Sequence, residues 1–301
     1  MNRPSSAPDP SPASLASSAS LASPASPVQA STGASKAMSR FDGVLLLSFG
    51  GPEAPEDVVP FLRSVTGGKD IPEDRLRVVG QHYFDLGGRS PLGDNNRALL
   101  AALRREFAVR DLDLPLLWSN RHAAPYTADV LREAGKQGIR RLLVLLTSAY
   151  SSYASCRSYR EHLAAVAAEL ADDGEVTFSF AKLAPYATRP AYARQMARLA
   201  GTSIRALDGM PDADVALLFV THSIPETMDE LSGPGDGEGH AYVAEHRDVM
   251  AAVTSALNVA VGRSLRPELV FCSQSGRPGQ AWLQPDVSAR IRELSGQVAA
   301  A

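Results

Sequence analysis

The sequence predicts an α/β protein built on parallel sheets, and three observations carry that expectation. From residue 43 onward, short apolar runs alternate with longer segments whose apolar residues recur at three- and four-residue spacing, the pattern of strands lying beneath covering helices. The runs are continuous rather than alternating, as in strands covered on both faces. Each run also ends in a group of polar residues, and open parallel sheets bind ligands beyond the carboxyl ends of their strands.

Taken in order, strands are expected at 44–49, 114–119, 141–148, 176–181, 214–221 and 268–273, with amphipathic helices at 95–108, 127–137, 158–170 and 191–207. The first strand ends in Ser48-Phe49-Gly50-Gly51-Pro52, the second in Ser119-Asn120-Arg121, and the third in Thr147-Ser148-Ala149-Tyr150-Ser151-Ser152-Tyr153. Later strands end in Thr221-His222-Ser223 and Ser273-Gln274-Ser275-Gly276. Hydroxyls, amides, aromatic rings and one imidazole would thus gather on one side of the sheets, which suits a large flat apolar ligand with carboxylate handles. Pro185 and Pro190 interrupt the pattern before a long helix returns, so one unit is expected at 41–188 and a second at 189–301. The first holds four strands and the second two. Two strands make a poor sheet alone, and the second unit is expected to be incomplete at Ala301.

Residues 1–40 are nearly all Ser, Ala and Pro, a composition that cannot bury a core and is expected to be disordered. Leu15 and Leu21 stand alone there, short of the apolar segment of about 7 to 15 residues in a secretory signal. A Ser-rich organelle transit peptide is the alternative reading, and Met38 is a second candidate start beside Met1. Net charge is −3 and no run of Lys or Arg exceeds two residues, which argues against nucleic acid as a partner. No stretch approaches the roughly 18 apolar residues of a membrane span, and two cysteines, Cys156 and Cys272, make no disulfide framework. The expected location is the cytoplasm.

Nucleotide motifs are missing: no GxGxxG follows the first strand, and the acidic segment after "SFGGP" would repel a pyrophosphate. The hydrolase elbow GxSxG is also absent. In "VALLFVTHSIPE", residues 215–226, an apolar run drives into His222 and stops at Pro225. A histidine there serves structure as often as function, but Thr221 and Ser223 can orient its ring, and a neutral imidazole accepts a proton or binds a metal. "LGGRSPL", residues 86–92, is a glycine turn that presents Ser90 and also reads as an ordinary loop. Tyr153, Cys156, Tyr159 and Arg160 fall at helical spacing and are expected to share one face, for a ligand or for packing. Cys272 reads as a core residue.

Together "LLLSFGGP", "HYFDLGGRSPL", "TSAYSSYASCRSYRE", "FVTHSIPE" and "CSQSGRPGQAWLQPDV" resemble the ferrochelatases, in that family's order, over roughly residues 41–295. Phe49 and Cys156 are most similar to the actinobacterial, coproporphyrin-type branch. The resemblance implies two Rossmann-like, chelatase-type domains and insertion of Fe2+, the metal substrate, into coproporphyrin III or protoporphyrin IX in heme biosynthesis. It makes His222 the catalytic, iron-binding residue, and Phe49, Tyr83, Ser90 and Tyr159 porphyrin-binding residues. Phe49 stands where relatives carry an iron-ligating tyrosine, and His82 stands for an arginine. Cys156 is the remnant of an iron–sulfur ligand set; relatives hold a 2Fe–2S cluster, which is not expected in this chain because it needs about four ligands. The family's glutamate opposite the histidine belongs to a segment expected after residue 301, so this chain by itself is expected to be slow or inactive. A non-catalytic tetrapyrrole-binding protein and a chelatase for another metal, such as cobalt, are the alternatives.

Overall fold

A computed structural model describes residues 38, 40–67, 71–174, 176–234, 238–274 and 279–295. The tail at 1–40 lies almost wholly outside the described residues, as do Ser275 and Gly276.

Two parallel sheets form the frame. The first has β1 (Gly43–Ser48), β2 (Leu116–Asn120), β3 (Arg141–Leu146) and β4 (Ser179–Lys182), in the order β2-β1-β3-β4. β1 therefore sits centrally, with Leu46 opposite Trp118 on one flank and Leu145 on the other. All six of its residues are buried, and Leu45, Leu46 and Leu47 are 0% exposed, each contributing roughly 1.5–3 kcal/mol of hydrophobic free energy. The chain leaves β1 toward one side and returns on the other, so the strand order switches between β1 and β3, where such sheets open their ligand crevice. Asp42 fastens the opposite end: its carboxylate accepts the backbone N–H groups of Arg140 and Arg141 and the Arg141 guanidinium, contacts that hold its pKa well below the usual carboxylate range.

Helices α1 (Val58–Val65), α2 (Glu73–Val79), α3 (Gln81–Asp85) and α4 (Leu92–Val109) fill the connection from β1 to β2. α5 (Thr127–Lys136) and α6 (Ser158–Asp172) cover one face of the first sheet. Tyr159, Leu163, Val166 and Leu170, spaced by three and four residues, turn inward from α6 against Leu45, Leu47 and Val144. The fourth strand is shorter than its apolar run suggests: Val176 and Phe178 pack on this core from the loop before Ser179.

The second sheet pairs β5 (Leu217–His222) with β6 (Pro267–Cys272), so that His222 lies opposite Cys272. α7 (Pro190–Arg205) and α9 (Ala241–Val261) pack on it, joined by the short α8 (Glu226–Glu230) and followed by α10 (Val287–Leu294). Small residues Ala193, Ala197 and Gly201 are buried on α7 and admit Val253 and Leu257 of α9. The apolar run of β5 was expected to be covered on both faces, yet Val220 is 52% exposed and no residue of this strand is fully buried. β5 has one strand beside it, and an apolar run reports affinity for a core rather than the number of neighbours supplied.

Candidate functional site

The carboxyl end of β1 organises the first rim. Ser48 is buried and accepts the Asn96 side-chain amide at 2.9 Å, so α4 is pinned to the strand end. Phe49 emerges next, with its ring edge-on to Phe61 at 6.1 Å and 4.6 Å from the His122 ring. A Cβ on Gly51 would lie 2.8 Å from Ser90, so glycine permits the close approach of the turn to that serine. Ser90 in turn donates its N–H to the Pro52 carbonyl at 2.8 Å. Tyr83 on α3 packs edge-on against Phe61 at 5.9 Å, and desolvation raises its pKa. Phe49, Tyr83 and Ser90 thus occupy one rim, beside a cavity of about 450 Å3 lined by Phe61, Arg97, Trp118 and His122. His82, one residue before Tyr83, is exposed.

His122 is the residue that sequence reasoning missed, because the reading of the second strand end stopped at Arg121. It is 8% exposed, its Nδ1 is 2.9 Å from the Ser64 hydroxyl, and burial, with the charges of Arg121 and His162 adding, pushes its pKa down to about 4. His162 meets the Thr127 hydroxyl through Nε2 at 2.9 Å and is pushed down to about 4 by burial. Both rings are neutral in the fold at pH 7. The unfolded chain binds their protons first, near pH 6.5, so their full contribution to stability is present above that pH and is lost as pH falls toward 4. Protonating either ring therefore costs the fold stability across that window. The melting temperature is expected to fall between pH 7 and pH 5, and His122→Gln to flatten that fall; a parallel curve in the variant would contradict the assignment.

Tyr159 does not share a face with Tyr153, Cys156 and Arg160. Residues Tyr153–Arg157 form a π-helical turn ahead of α6, begun by Ser152, whose hydroxyl accepts the Ser155 N–H at 3.0 Å. Tyr153, Cys156 and Arg160 keep the three-and-four spacing and share a face, whereas Tyr159, the neighbour of Arg160, lies about 100° round the helix from it. Tyr159 consequently points into the core at 2% exposure, with its hydroxyl toward Ser148 and the Arg121 guanidinium 5.8 Å from its ring centroid. Tyr153, Cys156 and Arg160 face a different space. They line a cavity of about 820 Å3 between the loop after β3 and the loop after β5, with Pro225, Met228 and Leu231 opposite.

His222 closes β5. The next residue, Ser223, donates its N–H to the Cys272 carbonyl and its hydroxyl to the Leu283 carbonyl, which locks the strand end. His222 Nδ1 lies 2.5 Å from the Ser223 carbonyl oxygen. A carbonyl only accepts, so Nδ1 carries a hydrogen, and in the neutral ring Nε2 is the nitrogen with the lone pair; the residue is exposed. Thr221, expected to orient this ring, serves another histidine: its hydroxyl lies 2.9 Å from His246 Nε2 and 2.9 Å from the Tyr242 hydroxyl. Tyr242 also donates to the His222 carbonyl at 2.8 Å. His246 is buried, which lowers its pKa, and stacks on Tyr150 with ring centroids 3.6 Å apart. Glu245 accepts both the N–H and the hydroxyl of Ser151, at 2.7 and 2.6 Å. Helix α9 therefore ties the loop after β3 to the strand that carries His222.

Glu226 opens α8 with its N–H on the Ala281 carbonyl, and no ion pair links it to His222. Cys272, expected in the core, is half-buried at the end of β6, as is Cys156 in the cleft. Among the described residues no group of three or more His, Cys, Asp or Glu is placed to hold a metal ion, so His222 offers a single imidazole.

The ferrochelatase family model matches residues 41–300. The chain is 48% identical over 259 residues to a coproporphyrin III ferrochelatase of Streptomyces griseus, covering 85% of this chain and 69% of that protein. A protein of the same name from Streptomyces coelicolor is 46% identical, with 85% and 68% covered. Another, from Tropheryma whipplei, is 40% identical, with 89% and 70% covered. The chain thus spans about two thirds of the length of these relatives.

Proposed function

The chain belongs to the ferrochelatase family, and from that premise we propose that it inserts Fe2+ into coproporphyrin III, giving Fe-coproporphyrin III in heme biosynthesis, with His222 as its catalytic group. The observation that supports this most directly is the setting of His222: its Nδ1 hydrogen goes to the Ser223 carbonyl, the residue is exposed at the end of β5, and in the neutral ring Nε2 carries the lone pair. Metal insertion requires that two pyrrole N–H protons leave as the iron–nitrogen bonds form. Nε2 accepts those protons in turn and passes them to water, or holds Fe2+ transiently before the ring takes it. A single imidazole suits the second task, since a metal bound by many ligands would not be released.

The ring itself must bend so that its nitrogen lone pairs face the metal. Carboxylate contacts far from the centre can sustain that strain. In this reading residues 41–188 and 189–301 supply the two sides of the site: Phe49 stacks on the macrocycle, and Tyr83 and Ser90 serve its carboxylates, whereas Tyr159, 2% exposed with its hydroxyl toward Ser148, packs in the core. A phenyl ring cannot ligate iron, so Phe49 offers stacking alone. The two cysteines of the sequence do not meet the roughly four-ligand need of a 2Fe–2S cluster, and no step is routed through one. No helix among the described residues is long and apolar enough to cross a membrane, which is compatible with action in the cytoplasm.

Absorbance spectra of the chain with coproporphyrin III, recorded with and without Fe2+ under anaerobic conditions, test the reading. Collapse of the free-base bands into the two-band metalloporphyrin spectrum, faster than without protein, is expected. A bound free-base spectrum that Fe2+ never changes would favour a tetrapyrrole carrier instead, and conversion by Co2+ alone a cobalt chelatase.

A further inference from the structure

We propose that Arg160 is a carboxylate anchor that gives the cleft its preference for tetrapyrroles bearing four carboxylates over those bearing two; this deepens the function proposed above and rests on it. The cavity of about 820 Å3 has two guanidinium groups on its wall, Arg157 and Arg160. Arg157 is already paired with Glu161 at 2.9 Å, and the same carboxylate accepts the Tyr153 hydroxyl at 2.8 Å. Arg160 has neither an ion pair nor a hydrogen bond among the described residues, and it is exposed on the first turn of α6. Arg160 lies about 100° round the helix from the inward-facing Tyr159 and faces the space.

The opposite wall has the complementary character. Leu231 is 87% exposed there, beside Met228 and Pro225, an apolar surface that a flat ring would cover. A guanidinium with unused donors on one side and an uncovered leucine on the other define an amphipathic slot: apolar body against the loop after β5, carboxylate against α6. Arg is suited to such a carboxylate because its planar fork donates two parallel hydrogen bonds. Phe49, Tyr83 and Ser90 stand on another rim, so a ring with two carboxylates can be held there alone. The additional pair on coproporphyrin III is what Arg160 would meet.

Fluorescence titrations of coproporphyrin III and of deuteroporphyrin IX, which has two carboxylates, against the 301-residue chain and its Arg160→Gln and Arg160→Lys variants test this. Arg160→Gln is expected to raise the Kd for coproporphyrin III about tenfold and that for deuteroporphyrin IX less than about twofold, with Arg160→Lys in between for the first ligand. Loss of affinity equal for both porphyrins, or no loss for either, would overturn the anchor while leaving the proposed function standing. A parent chain that binds neither porphyrin would overturn both. Because the side chain is exposed and unpaired, melting temperatures of the variants are expected to match the parent within about 2 °C.

Discussion

His222→Ala is expected to lower the rate of iron insertion by about 100-fold or more relative to the parent chain, the scale set by loss of a positioned acid–base group. Porphyrin affinity in the same variant should change by less than about fivefold, because apolar area and carboxylate contacts dominate binding of such a ligand. The asymmetry follows from the geometry of the strand end. The ring reaches outward on an exposed edge, its Nδ1 hydrogen is consumed by the Ser223 carbonyl, and the Tyr242 hydroxyl is held by the His222 carbonyl rather than by the imidazole. Removing the ring gives up the contact with the Ser223 carbonyl but leaves the hydrogen bonds that Ser223 makes to Cys272 and Leu283 and that Tyr242 makes to the His222 carbonyl, so the strand end should survive. His222→Gln, which keeps a polar group without the basic nitrogen, is expected to be as slow as the alanine variant. Insertion at the parent rate in either variant would remove His222 from the mechanism.

Gly88→Ala is expected to damage stability and porphyrin binding together. Gly88 has φ of +73°, donates its N–H to the Tyr83 carbonyl, and leaves no room for a Cβ, which would lie 2.6 Å from the Pro55 Cα. Alanine must therefore accept a left-handed backbone and push against main chain. The two together should cost about 2 kcal/mol or more, a fall in melting temperature of roughly 4–8 °C for a chain of this size. Displacement of the loop also moves Ser90, two residues on, away from the Pro52 carbonyl that positions it, so affinity should fall beyond the effect of Ser90→Ala. Gly87→Ala is the internal control: its φ is +84°, but nothing lies within 4 Å of its Cβ. A loss near 1 kcal/mol is expected there. Equal effects of the two substitutions in a melting experiment would show that the contact with Pro55 is not what matters.

The frame of this protein was legible in the sequence because apolar runs and helical spacing report burial, and burial builds layers. All six expected strands exist, each within three residues of its expected start; residues after β1, β3 and β5 line the two cavities, and His222, the last residue of β5, is not among those lining residues. Phe49, Tyr83 and Ser90 meet on one rim although 41 residues separate the first from the last; nothing local foretold that meeting, and the family resemblance supplied the expectation. His122 escaped attention because a histidine two residues beyond a strand end has no spacing signature until Ser64, 58 positions away, packs against it.

What the sequence determined by itself is which segments are buried, where strands stop, and that one histidine stands at the end of an apolar strand. These depend on local chemistry: side-chain hydrophobicity, the breaker at Pro225, and the conformational freedom of Gly50 and Gly51. The tertiary structure alone decided how four side chains are presented. Packing of α6 on the first sheet put Tyr159 in the core and left Arg160 to the cleft. Pairing of β5 with β6 alone left Val220 exposed. Ser223, whose N–H is held by the Cys272 carbonyl and whose hydroxyl is held by the Leu283 carbonyl from a segment 60 residues away, offers its own carbonyl to His222 Nδ1 and so orients the ring. Orientation of this kind depends on partners brought together only by folding, and the periodicity of a single chain carries no record of them.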